Sequence, residues 1–222
     1  MTSSAGYPDL HSAGPERLRI ITGGPGSGKS TLIGALEQRG LRCHREVSRE
    51  LIRRESSRPG GHTPWSDLLA FSRLAFREML LQHDHAVGHG DTCFLDRGIP
   101  DIFGYLLNRG EGIPEEFVIG HARCRYHATV FILPPWQEIY VNDSERPQSF
   151  EEAVSIYRSI REIYESFDYT LVEVPRAPVA ERCRFVLSHI HQEGLGTEAL
   201  LESDRSRQQT ISRTDLLSGK GL

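Results

Sequence analysis

Short apolar runs alternate along the chain with longer segments in which apolar residues recur every three or four positions. The short runs predict buried strands, because strands inside a parallel sheet are apolar on both faces, and the periodic segments predict helices with one apolar face. The predicted strands cover residues 18–22, 41–47, 92–95, 128–133 and 169–174. The predicted helices cover residues 30–39, 48–55, 64–87, 101–108, 114–121, 149–167 and 179–191.

This alternation predicts an α/β fold with a parallel sheet of about five strands and helices on both faces. We expect residues 17–193 to form a single domain that includes a helical lid insertion at residues 48–90. Residues 1–16 are rich in Ser, Gly and Pro and lack periodicity, so we expect a disordered tail there. Residues 194–222 are polar with mixed charge and predict a mobile C-terminal tail.

The composition argues against several classes of protein. The 222 residues include 26 Lys and Arg against 30 Asp and Glu, a formal net charge of −4 that argues against a general nucleic-acid binder. No apolar run is long enough for a membrane-spanning helix, and the N-terminus lacks the features of a secretory signal. The four cysteines are widely spaced without a C-x-x-C pair, which argues against a zinc site or a disulfide framework. We therefore expect a cytoplasmic protein that binds neither membranes nor nucleic acids.

Residues 23–30, GGPGSGKS, match the pattern G-x-x-x-x-G-K-[ST] between a predicted strand and a predicted helix. The glycines let the backbone turn tightly and point several N–H groups into one concavity, which binds phosphate oxygens together with the dipole of the helix. Lys29 adds a positive charge for the outer phosphates. The pattern predicts a three-layer P-loop NTPase fold that binds ATP or another nucleoside triphosphate. The residues expected to contact that nucleotide are Gly23, Gly24, Pro25, Gly26, Ser27, Gly28, Lys29, Ser30 and Thr31.

Asp96 and Arg97 directly follow the third predicted strand. A carboxylate at the carboxyl end of an apolar strand, in a chain with a P-loop, is typical of a residue that holds Mg²⁺ or its water ligands. We expect Ser30 and Asp96 to hold the metal ion and Arg97 to neutralise charge on the phosphates. The alternative is an Asp that caps the next helix, followed by a surface Arg.

Three further charged residues are candidates for the acceptor site. Glu46 follows the second predicted strand, and as a general base it would take a proton from a substrate hydroxyl. Arg49, about one helical turn later, would bind an anionic substrate. A solvated charged turn explains these two residues equally well. Asp101, on the helix after the third strand, would face the acceptor or would lie on an ordinary helix face.

Residues 141–149 are polar and contain a proline, and we interpret them as a lid loop over the phosphates. Arg146 is the lid residue expected to stabilise the transferred charge, a contribution of about 10³–10⁵ in rate where such arginines act. A plain surface loop is the alternative interpretation of this segment.

The motifs GGPGSGKST, REVSRELIRR, FLDRGIPDIFGYL and RPQSFEEA resemble those of the AAA-type P-loop family that contains the ATPase-like domain of nicotinamide riboside kinases and many bacterial ATPases. The resemblance spans about residues 17–191 and extends, more distantly, to deoxynucleoside kinases. It implies a kinase-like fold whose P-loop strand is central in the sheet. It also implies magnesium and phosphate roles for Asp96 and Arg97, a base at Glu46 and lid arginines near Arg146.

Two functions of different classes fit these observations. The first is a Mg²⁺-dependent phosphotransferase or ATPase that acts on a small nucleoside-like acceptor, or on another hydroxyl or phosphate acceptor. Its catalytic residues would be Lys29, Glu46, Asp96, Arg97 and Arg146, and its acceptor would contact Glu46, Arg49 and Asp101. The second is a non-catalytic, nucleotide-dependent binding module or switch. We expect a monomer or homodimer, because the chain is too short for the separate helical domain of a hexameric AAA+ ATPase.

Overall fold

The computed structural model describes residues 17–88, 92–141 and 148–193. Within them five parallel strands form one sheet, which confirms the predicted α/β fold. The strands are β1 Leu18–Gly23, β2 Arg42–His44, β3 Cys93–Asp96, β4 Thr129–Leu133 and β5 Thr170–Glu173. The helices are α1 Lys29–Glu37, α2 Val47–Ser56, α3 Leu68–Gly88, α4 Ile99–Asn108, α5 Glu115–Arg123 and α6 Phe150–Ser166.

The strand order is β2-β3-β1-β4-β5, so the strand that leads into the P-loop is central in the sheet, as the resemblance implies. Ile21 of β1 pairs with Asp96 of β3 on one side and with Phe131 of β4 on the other. This parallel register brings the carboxyl ends of the three central strands to one edge of the sheet. Ligands of open α/β sheets bind outside that edge.

Helices cover both faces of the sheet and complete three layers. Leu18 and Ile20 of β1 belong to an apolar cluster that also contains residues of helices α2 to α6. Helix α1 contacts strands β1, β2 and β3. The crossovers from β1 to β2 and from β3 to β4 run in opposite directions along the sheet, so right-handed connections place α1 and α4 on opposite faces.

Helices α4 and α6 pack at short range because Gly104 has no side chain. A Cβ at this position would lie 2.8 Å from the Cα of Ile160. The contact brings Tyr164 of α6 against the first turn of α4, where its hydroxyl donates a 2.7 Å hydrogen bond to Asp101. The packing of two helices thereby fixes a carboxylate at the edge of the sheet where ligands bind.

Helix α3 begins at Leu68 rather than at Pro64, so the predicted start of this helix was wrong. Thr63 closes a tight turn instead: its N–H donates to Ser66 Oγ at 2.9 Å, and its carbonyl accepts from Asp67 N at 3.0 Å. The Asp67 carboxylate then caps the helix by accepting a 2.9 Å hydrogen bond from a backbone N–H of the first turn. These hydrogen bonds place the first residue of the helix at Leu68, although Pro64 in the sequence indicates an earlier start.

The chain divides into two compact units, Met1–Cys183 and Arg184–Leu222. The described residues of the second unit, 184–193, are helical. Both predicted terminal tails lie outside the described residues, and so does Arg146 of the predicted lid loop. Among the helices that the structure describes, none combines the length and the apolar character needed to cross a membrane.

Candidate functional site

The glycine loop between β1 and α1 has the backbone that phosphate binding requires. Gly26 and Gly28 have φ angles of 72° and 83°, in the left-handed region where a side chain is strained. At Gly23 a Cβ would collide with the carbonyl oxygen of Leu133. Helix α1 starts at Lys29, and no side chain caps its first amides. The loop and this helix N-terminus therefore form a cradle for anionic oxygens.

The Lys29 ammonium lies inside this loop. Its side chain is 3% exposed, and Nζ donates hydrogen bonds of 2.8 Å to the carbonyl oxygens of both Gly23 and Gly24. Phosphate oxygens carry negative charge and accept stronger hydrogen bonds than neutral carbonyls do. Lys29 is thus held beside the position that the phosphates of a nucleotide would take.

Asp96 and Ser30 meet at the carboxyl end of β3. Ser30 Oγ lies 3.4 Å from Asp96 Oδ2. The Asp96 side chain is buried, and its Oδ1 has no hydrogen-bond partner among the described residues. A buried carboxylate oxygen left without a partner beside a hydroxyl suits a small cation, because Mg²⁺ takes oxygen ligands. The residues present therefore fit the Mg²⁺ site that the sequence predicts.

The titration of Asp96 gives a testable pH dependence. Burial, and then the nearby charge of Glu46, raises the pKa of Asp96 to about 6. A proton and Mg²⁺ compete for this carboxylate, which is ionised above that pKa and protonated below it. We expect Mg²⁺ to strengthen ADP binding well above pH 6, and this gain to fall by about tenfold per pH unit well below pH 6. Calorimetric titration of ADP with and without Mg²⁺ across this range measures the gain.

Asp96→Asn is the matched control for this measurement, because it keeps the shape of the side chain and removes its titration. Its Mg²⁺-dependent gain should be small and should change with pH only as the nucleotide itself titrates. A wild-type gain that follows the same pH curve as the gain of the variant would contradict the role of Asp96.

Arg97 joins the P-loop to Glu46. Its backbone lies in the left-handed region with a φ of 79°, an uncommon conformation that costs energy for a residue with a Cβ. Nε donates to Glu46 Oε1 at 2.8 Å, and Nη1 donates to the Gly23 carbonyl at 3.1 Å. The guanidinium carbon lies 5.5 Å from the centre of the Tyr105 ring. The proposed base and the phosphate loop are therefore held in one buried network.

Asp101 anchors Arg97 from the side of helix α4. Its Oδ1 accepts from Arg97 Nη1 at 2.9 Å and from Thr22 Oγ1 at 2.6 Å, while Oδ2 accepts from the Tyr164 hydroxyl at 2.7 Å. Its side chain is buried, so a contact between Asp101 and the acceptor stays a prediction. Thr22 and Tyr164 were not predicted from the sequence. No local motif marks them, and Tyr164 lies 63 positions from Asp101 along the chain.

A pocket opens beside this network, and we call it the inner chamber. Its charged end contains Glu46, Arg49, Arg97 and Asp101, with Pro25 of the P-loop next to them. The apolar part of its wall contains Ile52, Leu68, Phe71, Ala75, Met79 and Ile102. The structure thus brings the predicted acceptor residues together next to the P-loop. The apolar wall was not predicted, because apolar residues at helical spacing look like ordinary core residues in a sequence.

The sequence profile of a family described as an AAA domain matches residues 19–182. The match covers most of the chain and contains the P-loop, Glu46, Asp96, Arg97 and Asp101. No curated protein shows a significant match to the chain.

Solved structures of other proteins share the fold. A thymidylate kinase from Candida albicans has a TM-score of 0.59 at 17% identity, over 81% of this chain and 93% of that one. A deoxyadenosine kinase from M. mycoides with bound dATP has a TM-score of 0.52 at 15% identity, over 79% and 99% of the two chains. The NadR protein in complex with NR has a TM-score of 0.62 at 14% identity, over 80% of this chain and only 50% of NadR. These similarities show a P-loop kinase-like fold.

Proposed function

We propose, from the premise that the chain belongs to the AAA domain family, that it is a Mg²⁺-dependent phosphotransferase. Its donor is ATP, and its acceptor is a small nucleoside-like molecule. The observation that carries this proposal is one pocket that extends from the P-loop, past Glu46 and Arg97, to an apolar wall. A phosphate held at the loop and an acceptor held in the inner chamber would meet at Glu46 and Arg97.

The donor binds at the P-loop. The loop amides and Lys29 hold the outer phosphates, and Ser30 and Asp96 hold Mg²⁺. When bound, the metal ion neutralises negative charge on the phosphate oxygens. The buried position of Lys29 and the oxygen of Asp96 that has no partner among the described residues support this arrangement, because the charge of Lys29 also acts on the Asp96 carboxylate.

The acceptor binds in the inner chamber. The side chains of Phe71 and Met79 line this chamber and suit the flat apolar face of a base. The names of two solved structures of the same fold, a thymidylate kinase and a deoxyadenosine kinase, agree with an acceptor of this class.

In the transfer step an acceptor oxygen attacks the γ-phosphorus of ATP. The bond from that phosphorus to the β,γ-bridging oxygen breaks, and ADP leaves. When the attacking group is a hydroxyl, its proton goes to the Glu46 carboxylate. Arg97 positions that carboxylate through the 2.8 Å bond from Nε, and the charges of Lys29 and Arg97 offset the negative charge of the transferred group.

A panel of acceptors tests the proposal. The full chain is incubated with Mg²⁺, ATP and either a nucleoside or its 5′-monophosphate, with all common bases represented. We expect one class of acceptor to raise ADP release well above the acceptor-free rate, and mass spectrometry to find that acceptor heavier by one phosphoryl group. Tight ATP binding without acceptor-stimulated ADP release would contradict the phosphotransferase and would favour a non-catalytic nucleotide-dependent module.

A further inference from the structure

Arg182 is a buried arginine that lies against the P-loop. It belongs to the first turn of the helical residues that begin at 179, after β5, and its side chain is only 5% exposed. Nη1 donates a 3.3 Å hydrogen bond to the carbonyl oxygen of Gly28. Gly28 permits this approach because it has no side chain, and a Cβ at that position would lie 2.8 Å from Nη1. A guanidinium is therefore held beside the loop that binds the donor in the proposed function.

The positive charge of Arg182 has no negative partner among the described residues. The polar contacts of its side chain there are with the Gly28 carbonyl and with the ring of Trp136, whose centre lies 5.6 Å from the guanidinium carbon. Nε is buried and makes no hydrogen bond with a described residue. Burial lowers the pKa of the guanidinium below its usual value. A buried charge without an ion partner costs free energy, and a cation–π contact offsets only part of that cost.

The position of this charge in the fold adds to its cost. Gly28 is the N-cap of helix α1, so the guanidinium lies at the positive end of the helix dipole. An anion bound at this helix terminus would interact favourably with both the dipole and the guanidinium. The arrangement therefore suits a polyphosphate bound in the P-loop.

The central strand separates Arg182 from the acceptor residues. Glu46 and Arg97 follow β2 and β3, on one side of β1 in the sheet, whereas Trp136 and Arg182 follow β4 and β5 on the other side. Arg182 is not part of the lining of the inner chamber. The charge of Arg182 is thus placed to act on the donor rather than on the acceptor.

We propose that Arg182 is a positioning residue for the donor, a fixed positive charge that strengthens the binding of its phosphate chain. This inference rests on the P-loop as the donor site of the proposed function. Arg182 acts across Gly28 through its charge, and the effect is large because water screens buried charges little. The recognised group is a di- or triphosphate, whether or not a nucleoside is attached to it. Arg182 takes no part in proton transfer.

Calorimetric titrations of the full chain with tripolyphosphate and with ADP, both in the presence of Mg²⁺, test this inference. Arg182→Met removes the charge and keeps a long, unbranched side chain that can pack against Trp136. We expect this variant to bind both ligands at least about tenfold more weakly than the wild type, with the same factor for each ligand. Arg182→Lys keeps the charge and should retain most of the affinity for both.

The stability of the ligand-free variant is a second readout, which a residue that only packs would not give. Because the unpaired charge costs free energy without an anion, ligand-free Arg182→Met should unfold at a temperature no lower than that of the ligand-free wild type. Thermal unfolding followed by circular dichroism measures this temperature.

Arg176→Met is the matched control for the change in net charge. Arg176 also follows β5, but it is exposed and donates a 2.9 Å hydrogen bond from Nε to the Pro135 carbonyl. We expect this variant to bind tripolyphosphate and ADP with wild-type affinity.

Several results would overturn the role of Arg182 and leave the phosphotransferase standing. Wild-type affinity of Arg182→Met for tripolyphosphate is one, and a loss of affinity for ADP alone is another, because it would place the contact at the nucleoside. Equal losses in Arg182→Met and Arg182→Lys, or a lower unfolding temperature of ligand-free Arg182→Met, would give the side chain a structural role. Failure of the wild type to bind either ligand would overturn both proposals. Charge-dependent binding without acceptor-stimulated ADP release would overturn the phosphotransferase alone.

Discussion

Replacing Lys29 with alanine is expected to lower acceptor-dependent ADP release by about 10³-fold or more, the scale of loss when a preorganised charge that stabilises a transition state is removed. The Lys29 ammonium is buried in the loop, where Nζ already contacts two carbonyl oxygens at 2.8 Å. In a site with little water its charge acts strongly on the phosphate oxygens. Initial rates at saturating acceptor, together with calorimetric ATP titrations, measure the effect on transfer and on binding.

The Lys29 experiment needs a control for folding. The lost hydrogen bonds lie within the P-loop, and the apolar core cluster does not include this side chain, so we expect the variant to fold. Thermal unfolding followed by circular dichroism checks this point. Lys29→Arg keeps the charge but changes the shape of the donor, and it should retain part of the nucleotide affinity. A folded Lys29→Ala variant with wild-type turnover would contradict the P-loop as the donor site.

The parts of the site that could be predicted from the sequence are those encoded by neighbouring residues. The P-loop is one, because Gly26 and Gly28 act through the backbone of a single turn and Lys29 follows that turn directly in the sequence. The pair Asp96 and Arg97 is another, because its position at the end of a strand is visible in the apolar run before it. Strand order could not be derived from these patterns, and the central position of β1 was expected only from the resemblance.

The parts that could not be predicted depend on packing between distant segments. Glu46 and Arg97 form a 2.8 Å ion pair across 51 positions of sequence, and no local pattern indicates this contact. The bond from Tyr164 to Asp101 likewise depends on the short distance between α4 and α6 that Gly104 permits. Burial also decides which groups a side chain contacts, and burial cannot be predicted from a local pattern. Asp101 was predicted to bind the acceptor, and in the structure its carboxylate accepts hydrogen bonds from Thr22, Arg97 and Tyr164.

Exchanging Glu46 for glutamine is expected to lower kcat by about 10²–10⁴-fold, the usual contribution of a general base, and to change KM for the acceptor much less. The amide oxygen can still accept the hydrogen bond from Arg97 Nε, so the network that holds the side chain is preserved. The amide cannot take the proton of the attacking hydroxyl. Steady-state rates across acceptor concentrations separate the two constants. Glu50→Gln, in the first turn of helix α2 that directly follows Glu46, is the control, since that side chain is 78% exposed and should leave both constants unchanged.

A second readout of Glu46→Gln distinguishes a catalytic carboxylate from one that only packs. The charge of Glu46 helps to raise the pKa of Asp96, so its removal should lower that pKa and move the pH at which Mg²⁺ loses its effect on ADP binding to a lower value. If the pH curve moves and kcat also falls, Glu46 lies beside the metal site and acts on the acceptor. If the pH curve moves while kcat stays at the wild-type value, Glu46 is a neighbour of Asp96 but not the base. The acceptor would then lose its proton by another route, as a phosphate acceptor that is already ionised would allow.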